Sequence, residues 1–136
     1  MNLEGVSYLY DHDELVLLLR LLGCQNMPFP SWEDEIDADS ALVKLREDQL
    51  VSGSREALAV DQVIAFLLCA MDSADFRLFA PDGGQAALFR TELASIVLSK
   101  RGERWLISPF QAFADAQNFM LDLQQGEGGV NNQWRP

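Results

Sequence analysis

Apolar residues recur every three or four positions in four segments of the chain, which predicts four helices. The first is opened by Asp11 or Asp13, carries Leu15, Leu18, Leu19 and Leu22 on one face, and is stopped by a left-handed Gly23. A second helix over 41–50 is capped by Asp39 or Ser40 and turns Leu42, Leu45 and Gln49 inward. The remaining helices cover residues 61–71 and 112–123.

From Phe76 onward the hydrophobic period changes to two, which predicts strands. Four strands joined by short turns form an antiparallel meander, with Gly102 supplying a positive φ in the last turn and Pro109 ending the fourth strand. Shorter extended segments are predicted at 5–10 and at 58–60. The meander strands cover residues 76–80, 86–91, 93–99 and 104–108.

This order of elements predicts an α+β fold. N-terminal helices with a winged-helix-like unit precede the four-stranded antiparallel meander, and a C-terminal helix covers part of one sheet face. Residues 1–125 are expected to form a single α+β domain, and residues 126–136 a mobile tail. Trp134 in that tail is either an accident of the terminus or a small anchor for another chain.

The chain is strongly acidic, with 21 acidic and 10 basic residues among 136 and a formal charge of -11. Such a surface repels nucleic acid and anionic lipid. It suits a basic or hydrophobic protein partner, or it is a solvated surface without a meaning for partners. No apolar run reaches the roughly 18 residues of a membrane span, and no basic signal start is present, so we expect a cytoplasmic protein.

No catalytic constellation is visible in the sequence, and no cofactor or metal is expected. His12, the one histidine, lies between two aspartates and is predicted to make a local hydrogen bond. Cys24 and Cys69 are interpreted as small buried hydrophobic residues. An enzyme would need a pocket with perturbed carboxylates, such as Asp72 and Asp75.

The connector over 25–40 is the most hydrophobic of the predicted loops. It carries Met27, Phe29 and Trp32, followed by an acidic run from Glu33 to Asp39. A loop with this much apolar surface either folds back on the core, which is favoured, or meets a partner.

The helix–hairpin order over 41–71 also resembles a winged helix. The helix over 41–50 balances Lys44 and Arg46 against acidic neighbours, so nucleic-acid binding is disfavoured. A winged-helix-type transcriptional regulator remains the alternative function, together with a structural homodimer of unknown role.

Three segments carry a family resemblance. They are Glu-Leu-Val-Leu-Leu-Leu-Arg-Leu-Leu-Gly at 14–23, Ala-Leu-Val-Lys-Leu-Arg-Glu-Asp-Gln-Leu-Val at 41–51 and Leu-Ala-Val-Asp-Gln-Val-Ile-Ala-Phe-Leu at 58–67. Followed by the meander, they resemble one half of the EspG-like chaperones of type VII (ESX) secretion. The resemblance lies in element order over Tyr8 to Leu123.

This resemblance implies a bacterial, cytosolic protein that is not an enzyme and holds helical-hairpin secretion substrates soluble. It implies that the partner binds to a sheet edge or to a hydrophobic loop. Family members have two such halves, and a homodimer of this chain would supply two copies of the one half that it contains. The candidate protein-binding residues are Met27, Phe29 and Trp32 of the connector and Arg101 and Gly102 of the last hairpin.

Overall fold

The computed structural model describes residues 7–54, 56–80 and 85–128. Within these ranges the chain forms seven strands and four helices, which confirms the α+β class. In chain order the elements are β1 (Tyr8–Asp11), α1 (His12–Leu22), α2 (Ala38–Glu47), β2 (Val51–Ser52), β3 (Ala59–Val60), α3 (Gln62–Asp72), β4 (Phe76–Phe79), β5 (Ala86–Arg90), β6 (Ser95–Arg101), β7 (Arg104–Phe110) and α4 (Phe113–Gly128).

The larger sheet has the strand order β1-β7-β6-β5-β4. Its last four strands are the predicted antiparallel meander, with Leu88 paired to Val97 and Leu98 paired to Ile107. β1 adds a fifth strand beside β7. A separate two-stranded ribbon, β2 with β3, lies between α2 and α3 in the chain, where the sequence predicts a short extended segment.

Both ends of the predicted second helix are wrong. Asp37 is the N-cap of α2, because its carboxylate accepts the Ser40 N–H at 3.1 Å. The helix ends at Glu47, and Gln49 has a φ of 62° and is exposed rather than on the inner face. A residue in the left-handed region cannot continue a right-handed helix, so the chain leaves the helix earlier than the hydrophobic pattern suggests.

Two strand boundaries also differ from the prediction. Leu93 is 73% exposed and lies in the turn before β6, because the Thr91 hydroxyl donates to the Ala94 carbonyl at 2.8 Å and accepts the Ala94 N–H at 3.1 Å. At the other end of the meander, Pro109 does not end β7 but pairs with Ile96 as its next-to-last residue.

The chain separates into two compact units, and one boundary falls inside β1. The helical unit is Tyr10–Ser73, and the sheet unit consists of the described residues among Met1–Leu9 and Ala74–Pro136. The prediction of one domain over 1–125 with a tail over 126–136 stays a prediction. Trp134 lies outside the described residues.

The sheet unit has a hydrophobic core between one sheet face and α4. Buried residues of three neighbouring strands pack there against two residues of the helix: Leu78, Leu88, Val97, Ala116 and Met120. Aromatic pairs add to this layer, since the ring centroids of Phe110 and Phe119 lie 5.2 Å apart and those of Phe76 and Phe113 5.7 Å apart. The predicted cover of the sheet by the last helix is confirmed.

The helical unit has its own buried core, formed by leucines of α1 with residues of α2 and α3. Asp11 is the N-cap of α1 and forms a capping box with Glu14, and Gly23, whose φ is 72°, is the C-cap. Asp61 opens α3 as predicted, accepting the N–H groups of Val63 and Ile64. Fully buried side chains of this unit are Leu15, Val16, Leu18, Leu19, Leu45, Ile64, Leu67, Leu68 and Met71.

None of the helices in the described part of the chain combines the length and the apolar character needed to cross a membrane.

Candidate protein-binding site

The connector between α1 and α2 is attached to α1 by the side chain of Arg20. Its Nε donates to the Trp32 carbonyl at 2.7 Å, and its Nη2 donates to the carbonyl of Asp34. Hydrogen bonds from a charged donor are the stronger kind, and here one guanidinium supplies two of them to the same stretch of backbone. These hydrogen bonds therefore fix the backbone path of the connector beside α1.

The start of α1 holds the far end of the connector. His12 Nε2 lies 3.0 Å from the Asp34 carboxylate, and the Asp13 carboxylate accepts the Asp37 N–H at 3.1 Å. This contact joins His12 to a residue 22 positions away in the chain, whereas the sequence predicted a local hydrogen bond. This end of the connector leads directly into the Asp37 cap of α2.

The three apolar candidates of the connector are half-buried: Met27, Phe29 and Trp32 each keep part of their surface in solvent. Pro30 between them is buried and follows a cis peptide bond from Phe29. The connector folds back within the helical unit, as favoured from the sequence, without burying these side chains completely. Each of the three side chains keeps an accessible apolar part on a connector whose backbone Arg20 holds.

Arg101 and Gly102 lie at the exposed tip of the β6–β7 hairpin. Gly102 has a φ of 65°, as predicted, and a Cβ built there would meet nothing within 4 Å. Below the tip, the Lys100 ammonium lies 5.8 Å from the centroid of the Trp105 ring, which is 1% exposed. The hairpin therefore presents an exposed tip on a packed base.

The structure brings the candidates together in two groups and assigns the groups to different units. Met27, Phe29 and Trp32 belong to the helical unit, and Arg101 and Gly102 to the sheet unit.

The terminal strands of the sheet expose apolar side chains that the sequence analysis missed. On β4, at one end of the strand order, Phe76 is 37% and Phe79 is 46% exposed. On β1, at the other end, Leu9 is 49% exposed. The run Phe-Arg-Leu-Phe places one aromatic side chain on each face of β4. A strand with one buried face would alternate apolar and polar residues, so this run is the signal in the sequence for exposed apolar surface.

Charge is distributed unevenly between the units. In the sequence, Tyr10–Ser73 holds 13 acidic and 4 basic residues, a formal charge of -9, against 8 and 6, or -2, in all of Met1–Leu9 and Ala74–Pro136. Two of the four cations in the helical unit are engaged within it: Arg20 on the connector, and Lys44, whose ammonium lies 3.0 Å from the Asp11 carboxylate.

Local contacts shift several pKa values in the helical unit. Hydrogen bonds from Ser40 lower the pKa of Asp37, and the bond to Asp11 raises the pKa of Lys44. Burial raises the pKa of Glu14, the acid of the α1 capping box. The pKa shifts of Asp37 and Lys44 thus come from a helix cap and an ion pair, whereas that of Glu14 comes from burial.

The cysteine prediction is half right. Cys24 is buried, but Cys69 is exposed, because it lies on the solvent side of α3. Asp72 is engaged through its carboxylate, which accepts the Asn26 N–H at 2.7 Å. Among the described residues no group of three or more His, Cys, Asp or Glu side chains is arranged to hold a metal ion.

The fold is similar to part of a chaperone of type VII secretion. No family model matches the chain, and the search of curated proteins found no relative. Among solved structures, it is similar to the Mycobacterium tuberculosis type VII secretion system chaperone EspG5, in complex with the PE25–PPE41 dimer. The TM-score is 0.66 at 13% identity, over 90% of this chain and 52% of the EspG5 chain. The expected resemblance is confirmed for the fold, and the chain spans about half the length of the chaperone that it matches.

Proposed function

We propose that this protein is a non-enzymatic, cytosolic chaperone or adaptor that binds a helical type VII secretion substrate. The observation that carries the proposal is the fold shared with EspG5 over 90% of this chain. That neighbour is a chaperone in complex with a protein dimer, which makes a protein the expected class of partner.

The charge distribution favours a partner with a basic or apolar contact surface. The helical unit carries most of the negative charge. An acidic partner or a phosphate backbone would be repelled by this unit at physiological ionic strength. Charge complementarity would raise the association rate and select among partners more than it would raise affinity.

Trp32 is the residue of the connector that we expect to contribute most to binding. It keeps part of a large amphipathic ring accessible, and Arg20 fixes its backbone. A segment whose backbone is held in place before binding loses less entropy when the complex forms. Tryptophan and arginine are enriched among residues that dominate interface energies, which also makes Arg101 at the hairpin tip a candidate.

We further propose that a second copy of the chain pairs along β4. This strand ends the sheet order, and Phe76 and Phe79 expose apolar surface on it. Edge strands are templates for pairing with another chain, and a two-fold interface lets one surface meet itself. This chain matches about half the length of EspG5, and such a dimer would contain two copies of the matching fold.

Co-expression with any helical-hairpin proteins that are encoded beside its gene tests the chaperone function. We expect a stoichiometric complex on size-exclusion chromatography, dissociating at least tenfold more readily when Trp32→Ala or Arg101→Glu is introduced. Leu93→Ala is the matched control, because Leu93 is 73% exposed in a turn outside both candidate groups. Absence of a complex with any of these proteins, or equal binding by all variants, would argue against the proposal.

Sedimentation equilibrium tests the dimer. We expect a dimer for the unaltered chain and a monomer for Phe79→Asp, which would place charges in the paired edge. Leu93→Asp adds the same charge at an exposed turn and should leave the dimer intact. A monomer at all concentrations would contradict pairing along β4 without affecting the chaperone proposal.

A further inference from the structure

The β6–β7 hairpin ends in two arginines that face each other across the strands. Arg101 and Arg104 are the last register pair of the ladder, and the two-residue turn Gly102-Glu103 joins them. Gly102 has a φ of 65° at the first turn position, and Glu103 has no positive φ, which is the type II′ pattern of tight hairpins. The turn therefore fixes the two arginines directly opposite each other.

The two arginines share one face of the sheet and are accessible. Side chains alternate between sheet faces, so Arg101 lies on the same face as Val97, which packs beneath α4. Lys100 lies on the opposite face with Trp105. Arg101 and Arg104 are both exposed. The hairpin thus presents two cations side by side to solvent.

The arginine pair has donors available for an anion from another molecule. Glu103, the acidic residue of the turn, forms no ion pair with a described residue. Like charges directly opposite each other destabilise an antiparallel pair of strands. Each guanidinium has five N–H donors, more than a single contact within the chain can use. An anion bound between Arg101 and Arg104 would relieve their repulsion and accept from the remaining donors.

The backbone beneath the arginine pair is held before any partner binds. The Lys100 N–H donates to the Gln85 carbonyl at 2.9 Å, which ties the end of β6 to the start of β5. Trp105, which follows Arg104, is 1% exposed. Binding at the tip therefore costs little backbone ordering.

The spacing of the pair matches one turn of a helix. The Cβ atoms of directly opposite residues in antiparallel strands lie roughly 4.5–5.5 Å apart. Helix residues i and i+3, or i and i+4, have Cβ atoms about 5–6 Å apart. Arginine binds a carboxylate through two parallel N–H donors, so each arginine can take one carboxylate. Two acidic residues one turn apart on a helix therefore fit the arginine pair.

We propose that Arg101 and Arg104 together bind two carboxylates that lie one turn apart on a helix of the protein partner. That the partner is helical rests on the proposed function. The acidic pair is confined to the contact with the hairpin, so the rest of the contact surface stays basic or apolar, as the negative charge of the helical unit favours. At an exposed site, such ion pairs select the partner and speed association more than they raise affinity.

Helical peptides test the arginine pair without the natural partner. The probe is an alanine-rich helical peptide with glutamates at i and i+4, added to the full-length protein at low ionic strength and followed by NMR shifts of the backbone amides. We expect shifts centred on residues 100–104. A peptide of the same composition with glutamates at i and i+2, on different helix faces, should bind about fivefold more weakly.

Charge reversal tests the same contact from the protein side. Arg101→Glu and Arg104→Glu should each weaken binding of the i, i+4 glutamate peptide about fivefold. Arg46→Glu is the matched control, because it makes the same change of charge at an exposed position on α2 and should leave binding unchanged. The double variant Arg101→Glu/Arg104→Glu should instead prefer a peptide with lysines at i and i+4, which a misfolded hairpin would not do.

Equal binding of the two glutamate peptides, shifts outside the hairpin, or no binding would each overturn the proposal. Preference for a double-stranded oligonucleotide over the glutamate peptide at the same residues would overturn it in favour of phosphate. None of these results decides whether the protein binds a secretion substrate, which co-expression tests separately.

Discussion

The sheet unit and the helical unit are held together by different kinds of interaction. In the sheet unit, a backbone ladder and one apolar layer beneath α4 fix the strands. In the helical unit, side chains also fix backbone: Arg20 holds the connector, and Asp37 and Asp61 cap helices. The difference teaches that the connector's position depends on a few polar side chains, whereas the hairpin tip depends on the sheet as a whole.

Leu88→Ala should give the largest loss of stability. Leu88 is fully buried between β4, β6 and α4, and truncating a buried leucine removes apolar burial and leaves a cavity, at about 2–5 kcal/mol. Urea denaturation measures the change. Leu93→Ala should stay within about 0.5 kcal/mol, because its side chain is largely exposed. Equal losses for the two variants would show that the layer beneath α4 is not the core of the sheet unit.

Gly53→Ala should give the next largest loss of stability, and it tests the helical unit. Gly53 has a φ of 92°, and a Cβ there would overlap the backbone carbonyl of Ala57. We expect a loss of about 2–3 kcal/mol, from the unfavourable φ together with displaced backbone. Gly102→Ala has a positive φ but open space, so about 1 kcal/mol is expected. A smaller loss at Gly53 than at Gly102 would contradict the close approach after β2.

Arg20→Ala should release the connector at a moderate cost in stability. Its two hydrogen bonds to backbone carbonyls are exposed, so we expect about 1–2 kcal/mol. Limited proteolysis should show new cleavage between residues 25 and 37. Arg46→Ala removes the same group from an exposed position on α2 and should leave this pattern unchanged. An unchanged connector in Arg20→Ala would place its restraint elsewhere.

The smallest expected change in the free energy of unfolding is the loss of the Asp37 cap of α2 in acid. Hydrogen bonds from Ser40 lower the pKa of Asp37 in the folded protein below its ordinary value of 3.8. The cap therefore stabilises the folded state above about pH 3.8 and loses this contribution as the pH falls through the lowered value. The stability difference between the unaltered chain and Asp37→Asn should shrink over that range. A difference that is constant with pH would contradict the cap.

Features set by neighbouring residues were predictable from the sequence. The Asp61 cap, the left-handed Gly23 and Gly102, and the cover provided by α4 all follow from local spacing or turn chemistry. The strand pairs of the meander also followed, since short turns leave little choice of neighbour.

Features set by contacts between distant residues were not predictable. The pairing of β1 beside β7 joins the first and the last strand of the described chain. The Arg20 bonds to the connector depend on how the loop after α1 returns to that helix. The apolar character of the connector is visible in the sequence, but the spacing of its apolar residues does not indicate that Arg20 restrains it.

The central claim is that the connector and the β6–β7 hairpin tip bind a helical partner. Hydrogen–deuterium exchange tests it most directly, measured on the complex with any helical-hairpin protein that is encoded beside the gene. The proposed function predicts slower exchange on binding over residues 25–37 and 100–104, with the core strands β5 and β6 unchanged. Exchange that stays the same in both segments while a complex is present would contradict the proposed binding site. Failure of any such protein to bind would contradict the chaperone function itself.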